Sequence, residues 1–407
     1  MLVRKAAIQC LEELFVSHDK ADSAMDRFGA SLDDRERRFL HELVYGVLRY
    51  YYSLEADYSR FCRTRPDEVA RMALLVGSYQ LRHMRVPAHA AVSETVAAVL
   101  QLRPKAGGFV NAVLRRVGEN EAPKKLKPNQ RAELPKWIYS HWRDDFGAEQ
   151  TEALCQALKE VPKLSLALFV DRKSWIEQVM AAGIEVSAGQ LSPYAVLLPA
   201  GTDITALPGY AAGDFTVMDQ AAQAAVMALE PLNPSGLIVD VCAAPGGKTA
   251  LLAHRFPAAT IIAVELNGRR IPRLMENLNR LGCRNVQVVQ ANGGVLPLAD
   301  ASVDAVLLDA PCSASGILRR HPDAKFLHDE QSVAALSRQQ AELLTEALRV
   351  AGSDAAVVYA VCSIHRQENE QVLAMTGLDW HSTRLFPAEA HDGFFHARRC
   401  VDQQRVL

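Results

Sequence analysis

From about residue 215 onward the chain alternates short apolar runs with helical stretches, and this alternation constrains its fold more than any other feature. Leu237–Val241, Thr260–Glu265, Val286–Gln290, Ala305–Asp309 and Ala356–Val361 are brief, rich in aliphatic side chains, and separated mostly by residues at helical spacing. Apolar runs of this kind are strands buried on both faces, the condition of a parallel sheet with helices on either side. A Rossmann-like, doubly wound α/β domain is therefore expected over 214–407. Strands at Leu378–Leu385 and Gly393–Arg398 would finish its sheet.

The N-terminal portion reads differently. Between 36 and 50 the apolar residues Phe39, Leu40, Leu43, Val44, Val47 and Leu48 recur at intervals of three and four, one face of a helix. Asp33 precedes Glu36 by three residues, the spacing of a capping box. A second stripe runs Val69, Met72, Val76, Tyr79; another helix is expected around Ala90–Leu100, and Gly107-Gly108 should precede a short one. No strand-like alternation appears, so an all-α bundle is expected over 1–125. Pro123, Pro128 and Pro135 among lysines mark a linker. Beyond it, 137–160 reads as helix, Leu164–Val170 as strand, Trp175–Ala182 as helix and Ala195–Leu198 as strand. That makes a linker helix and a small, RRM-like α/β subdomain over 126–213.

A chain of 407 residues has length for two or three such domains. Apolar residues at 49% and charged residues at 23% exclude a disordered chain. No apolar run reaches a membrane span and nothing resembles a signal peptide, so no membrane association is expected. Eight cysteines stand singly, without a CxxC pair, which suggests neither a metal site nor a disulfide framework. A reduced, cytoplasmic protein, taken as a monomer, is the expectation. The net charge of −2 does not exclude a nucleic-acid partner, because local stripes make the phosphate contacts. Arg103, Lys105, Arg115, Arg116, Lys124, Lys125, Lys127, Arg131, Lys136 and Arg143 form such a stripe. A solvated linker with helix-end charges reads the same residues equally well.

The first strand of the α/β domain runs into Cys242, Ala243, Ala244, Pro245, Gly246, Gly247, Lys248 and Thr249 and then a helix. Small residues and paired glycines let backbone N–H groups approach a ligand at a helix N-terminus. Gly247-Lys248-Thr249 matches the end of a phosphate loop, but Cys242 stands where the first glycine is required. A nucleotidase is thus a rival reading, with Asp309 as a magnesium-side acid. Glu265, closing the second strand, is placed to hold ribose hydroxyls. The G-x-G-x-x-G of a dinucleotide site is absent, and the combination suits S-adenosylmethionine. Asn292 after the third strand could meet the adenine edge or simply make an Asn-Gly turn. Glu265 could likewise be only an exposed acid at a strand end.

Cys312 follows the fourth strand in Asp309-Ala310-Pro311-Cys312, and Cys362 ends the fifth. A lone cysteine is most often a small buried hydrophobe. Two at neighbouring strand ends, on the edge where open α/β sheets bind ligands, suggest paired chemistry. Cytosine C5 is a poor nucleophile until a thiolate adds to C6. The resulting enamine can take a methyl group, and the thiol leaves once the C5 proton is removed. With a free thiol pKa of about 8.5, a positive or hydrogen-bonding neighbour should help, and Lys248 and the N-terminus of the helix that the loop opens are the candidates. Asp309 would hold the N3/N4 edge of the base.

Leu307-Leu308-Asp309-Ala310-Pro311-Cys312-Ser313-Ala314-Ser315-Gly316, then Arg319-Arg320-His321-Pro322-Asp323, then Cys362-Ser363, resemble the RsmB/Sun family of RNA cytosine-C5 methyltransferases. Cys242–Thr249 is similar to that family's cofactor loop, and Asp392-Gly393-Phe394-Phe395 to its terminal strand. Asp34–Arg49, Ala88-His89-Ala90 and Gly108–Arg115 are similar to its NusB-like helical domain, a type that binds RNA. The resemblance implies a cytosine of 16S small-subunit ribosomal RNA as substrate. It also implies that Cys362 attacks C6 and that Cys312 assists release.

Some positions depart from the family pattern. Asn292 stands where an aspartate is usual, Glu265 replaces an aspartate, Asn267 replaces an acid, and Val361 stands where threonine is common. The weakened third-strand segment leaves open an RNA-binding or assembly protein that has lost methyl transfer.

Overall fold

The computed structural model describes residues 2–231 and 233–400. Two compact units partition the chain: Met1–Lys159 with Leu318–Asp329, and Glu160–Ile317 with Glu330–Leu407.

The first unit is helical. Helices Leu2–Ser17, Asp34–Arg49, Glu68–His83, Ala88–Leu102 and Gly107–Glu119 bury their apolar faces in one cluster that includes Leu11, Leu43, Leu74 and Leu114. Asp33 starts the second of these by the expected capping box, its side chain accepting from the Glu36 N–H while Glu36 reaches back. Gly107-Gly108 does not precede the last helix but forms its first turn. A Cβ at Gly107 would meet Leu100 Cδ2 at 2.5 Å, the tip of a side chain that is 46% exposed and free to turn away. The proline-rich stretch contains one short helical turn, Pro128–Arg131, before the helix Lys136–Ala157, which kinks at Gly147 (φ 78°). Leu318–Asp329 belongs to this unit although it lies far along the chain. Phe326 packs with Phe15 and Tyr51 at ring separations of 5.0 and 4.9 Å. The buried Lys325 ammonium donates to the Glu133 carbonyl at 2.7 Å, and Asp323 accepts from the Ala21 N–H.

The second unit contains both sheets. Strands β1 (Leu164–Leu168), β2 (Ser187–Ala188), β3 (Ala195–Leu198) and β4 (Phe215–Val217) form a four-stranded antiparallel sheet in the order β2-β3-β1-β4. With helix Arg172–Ala181 they enclose Leu166, Leu168, Trp175, Val196 and Phe215. β1 ends at Leu168, two residues before the expected end, and β2 and β4 are additional to the strands expected from the sequence.

The larger sheet has seven strands among the described residues. They are β5 (Leu237–Val241), β6 (Thr260–Glu265), β7 (Val286–Gln290), β8 (Ala305–Asp309), β9 (Ala356–Val361), β10 (Trp380–Leu385) and β11 (Phe394–Arg399), in the order β10-β11-β9-β8-β5-β6-β7. β5 to β9 are parallel, whereas β10 and β11 pair antiparallel, making the sheet mixed. Alternate residues face opposite layers. Val239, Val241, Val306, Leu308, Val357 and Val361 pack against Leu343, Leu344 and Val350 of helix Glu330–Ala351. Ile238, Leu307, Val358 and Ala360 face the other way, against helices Gln220–Met227 and Gly247–Arg255. Each fully buried aliphatic side chain contributes about 1.5–3 kcal/mol, and the two-sided burial explains the unbroken apolar strands. The carboxyl ends of β5, β6, β8 and β9 consequently lie along one rim, where a doubly wound sheet presents its functional groups.

Candidate active site

Parallel pairing aligns Asp309 at the end of β8 with Ala360 of β9. The backbone beyond remains joined, Ala310 N–H donating to the Ala360 carbonyl at 2.9 Å. Two residues past Ala360 comes Cys362, and three past Asp309 comes Cys312. Their Sγ atoms stand 3.1 Å apart, both partly exposed. The structure thus brings together the two cysteines singled out from the sequence, and neither residue is fully buried. The hydrogen bond to Cys362 and burial, with the charges of Cys362 and Glu368 behind them, hold the Cys312 thiol well above its ordinary range.

Lys248 connects the next strand end. It enters the rim from the first turn of helix Gly247–Arg255, where its Nζ donates to Asp309 Oδ2 at 2.7 Å and lies 5.4 Å from the Phe394 ring centre. Burial lowers the ammonium's pKa, but Asp309 and Cys362 outweigh it, leaving the group above its usual value and cationic. Asp309 Oδ1 receives no hydrogen bond from the described residues, so one carboxylate oxygen remains for a ligand.

The loop Cys242–Lys248 turns tightly. Gly246 adopts φ 101°, and a Cβ there would meet Leu274 Cδ1 at 2.7 Å, so both backbone and space require glycine. Ala243 N–H donates to the Val264 carbonyl, tying the loop to β6. Glu265 is buried; its Oε1 accepts from the Asn267 N–H at 2.9 Å, and its Oε2 from the Ala244 N–H at 3.3 Å and Arg270 at 3.1 Å. It is therefore not an exposed strand-end acid. Arg270, unmarked by any sequence pattern, also donates to the Ala244 carbonyl, and Asn277 to that of Pro245. Cys242 is a packing thiol, pushed up to about 12 by burial, with Asp309, Glu265 and Asp240 adding to the effect.

Asn292 behaves as the turn residue weighed above. It is exposed, and its Oδ1 accepts from the Gly294 N–H at 2.9 Å. Thr249 gives its hydroxyl proton to buried Asp240 at 2.5 Å, so the group a phosphate loop lends to magnesium is already engaged. Among the described residues no cluster of His, Cys, Asp and Glu could hold a metal ion. Nor is any helix among them long and apolar enough to cross a membrane.

The residues along the rim fit a nucleoside carrying a short charged tail. Glu265 is a carboxylate fixed in direction by three N–H donors. Beside it Leu266 stands 59% exposed, an apolar side chain open to solvent. Glycines at a helix start leave backbone amides approachable.

Sequence reasoning missed Glu368. It is wholly buried beneath the two cysteine loops, and its only signal was a polar run, Arg366-Gln367-Glu368-Asn369, that reads as surface. The ten basic residues of the stripe between Arg103 and Arg143 are all exposed.

Comparisons with known proteins agree with this geometry. Residues 226–402 match the family described as 16S rRNA methyltransferase RsmB/F, residues 1–119 the NusB family, and residues 134–205 the ferredoxin-like domain of RsmF/B-like methyltransferases. A "Ribosomal RNA small subunit methyltransferase B" of Klebsiella pneumoniae is 33% identical over 97% of this chain and 97% of its own length. The protein of that name from Citrobacter koseri is 33% identical over 97% of this chain and 98% of its own. Among solved structures, "Crystal Structure of PH0851" superposes with a TM-score of 0.81 at 20% identity, covering 97% of this chain and 98% of that one. "The crystal structure of NSun6 from Pyrococcus horikoshii with SFG" gives 0.58 at 18% identity, covering 65% and 97%. These two likenesses concern the fold. With full-length relatives above 30% identity and family matches over all three regions, the chain belongs to the RsmB/F family of 16S rRNA methyltransferases.

Proposed function

We propose that the protein transfers a methyl group from S-adenosylmethionine to C5 of a cytosine in 16S ribosomal RNA, through a covalent bond between Cys362 and C6. The observation that carries this reading is the 3.1 Å approach of Cys312 and Cys362, with the cationic Lys248 beside them. S-adenosylmethionine supplies an electrophilic methyl group when bound; Cys242 to Lys248, Glu265 and Asn292 would hold it, with Asp309 at the boundary to the base.

The remaining work falls to the protein. Cys362, close to a fixed positive charge, adds as thiolate to C6 and makes C5 nucleophilic. Asp309 uses its unengaged Oδ1 to hold the N3/N4 edge of the ring, while Lys248 fixes the other oxygen. After transfer the C5 proton passes to solvent, its bonding electrons restore the C5–C6 double bond, Cys362 leaves C6 as thiolate, and Cys312 assists that release from the adjoining position. The exposed basic stripe offers contacts to RNA phosphates. We assign the helical RNA-binding role to 1–125, the linking helix and small subdomain to 126–213, and methyl transfer to 214–407.

Incubation with labelled S-adenosylmethionine and unmodified 16S ribosomal RNA tests the reading. Label should appear as 5-methylcytosine, Cys362→Ala should abolish it, and Cys312→Ala should accumulate a slow-moving covalent RNA adduct on a denaturing gel. RNA binding with neither label nor adduct would indicate an assembly protein that has lost transfer, the reading favoured by the exposed Asn292.

A further inference from the structure

The loops carrying the two cysteines converge on one buried carboxylate. Glu368 Oε1 accepts from the Ser313 backbone N–H at 2.8 Å and from Gln340 Nε2 at 3.0 Å. Its Oε2 accepts from the Ser363 hydroxyl at 2.5 Å and from the Ser313 hydroxyl. Ser313 and Ser363 are the residues immediately following Cys312 and Cys362. Gln340 also donates to the Pro311 carbonyl at 2.8 Å, gripping the residue immediately before Cys312.

The carboxylate is itself held. Tyr359 donates its hydroxyl to the Glu368 carbonyl at 2.6 Å, and Ser337 donates to the Gln367 carbonyl at 2.7 Å. Glu368 has 0% exposure. A carboxylate in such a place is tolerable only when donors replace its lost hydration, and four donors do so here. A cluster serving stability alone could sit anywhere in the core. This one places every donor to its carboxylate within a residue of a sulfur-bearing position, or on the glutamine that grips Pro311.

Resting on the two-cysteine reading above, we propose that Glu368 is a positioning residue that fixes the two sulfurs against one another and divides their roles. The division follows from which charge each sulfur meets. The hydrogen bond to Cys362 and burial favour the thiol form of Cys312 and the charge of Glu368 adds to them, whereas Lys248 faces Cys362 across the rim. Cys312 is thereby kept as a thiol beside its neighbour.

The test uses the full chain without RNA or cofactor. Wild type and Glu368→Gln are treated briefly with iodoacetamide at one pH, and labelling of each cysteine is read by peptide mass spectrometry, with exposed Cys400 as internal control. Wild type should label Cys362 in preference to Cys312. Glu368→Gln, nearly the same in shape but uncharged, should raise the Cys312:Cys362 labelling ratio about five-fold, because thiolate fraction grows ten-fold per unit of pKa lowered. An unchanged ratio in a variant of wild-type melting temperature overturns the proposal. If Glu368→Gln does not fold, Ser313→Ala, which removes one donor and leaves the carboxylate charge less compensated, must shift the ratio in the opposite direction, and an unchanged ratio there overturns it equally. A shifted ratio in a protein that methylates no cytosine would leave the positioning role standing and remove the proposed reaction. An unshifted ratio in an active enzyme would do the reverse.

Discussion

Lys248 and Asp309 meet at 2.7 Å across the carboxyl ends of β5 and β8, joining the glycine loop to the segment that carries Cys312. This ion pair is mostly withdrawn from water, where removing one partner costs far more than at a surface. It also faces Cys362, so one cation serves a carboxylate and a sulfur together.

Lys248→Met should impair folding and chemistry alike, because it leaves Asp309 charged and unpaired in a mostly buried place. Loss of the charge beside Cys362 should lower single-turnover methyl transfer by about 100-fold, in the range expected for an activating neighbour of a nucleophile. The same change should slow alkylation of Cys362. Rapid-quench transfer with labelled cofactor checks the first expectation, and peptide mapping checks the second.

Gly316 tests how closely the cysteine loops must approach the last strand. Its N–H donates to the Cys362 carbonyl at 3.0 Å, and its own carbonyl accepts from the Gly393 N–H at 2.9 Å. A Cβ here would lie 2.2 Å from the Gly393 carbonyl oxygen and 3.0 Å from that of Cys362, both backbone atoms that no rotamer change can move. Gly316→Ala should cost about 1–3 kcal/mol in urea denaturation and remove most transfer activity.

Asn292 uses one side-chain oxygen to cap its own turn. Asn292→Asp preserves that acceptor and restores a charge at the end of β7. If the position meets the cofactor, titration calorimetry should show S-adenosylhomocysteine binding about three-fold or more tighter, since hydrogen bonds to charged groups are the stronger ones. Equal affinities would place Asn292 outside the cofactor's contacts.

His396 in β11 gives a pH dependence unrelated to catalysis. Burial, with His381 adding, lowers its pKa from 6.5 to about 4, and its Nδ1 has no hydrogen-bond partner among the described residues. The unfolded chain takes up a proton below about pH 6.5, while the folded one refuses it until about pH 4. Stability is thus lost as pH falls through that interval. Between pH 7 and pH 5 the loss is about 2 kcal/mol by linkage. His396→Phe should lose that much less over the same range in paired urea titrations.

Much of this architecture was legible in the sequence. β5, β6, β8 and β9 fall where aliphatic runs placed them, because both faces of each are covered, and β7, a half-buried edge strand with Gln287 and Gln290, keeps enough valines to be read with them. β2 and β4 were hidden for the opposite reason: two and three residues long, they are strands only because β3 and β1 pair with them. The antiparallel edge of the large sheet was equally unreadable, since strand direction is set by the path of the chain rather than by composition. At the rim, the two cysteines, Asp309 and Lys248 announced themselves by lying just beyond strands or opening a helix. Arg270 and Glu368 did not. Both act through contacts with backbone or side chains distant in sequence, and a polar residue in a polar stretch carries no mark of burial.

The return of Leu318–Asp329 to the helical unit bears on how this protein can be divided. A gene cut after Lys159 would encode helices deprived of Phe326 against Phe15 and Tyr51, and of the ammonium that meets the Glu133 carbonyl. A fragment beginning at Glu160 would instead carry that peptide with its aromatic and apolar side chains in water. Recombination between relatives at the apparent linker should thus yield chimeras that behave well only when residues 318–329 come from the same parent as the first 159.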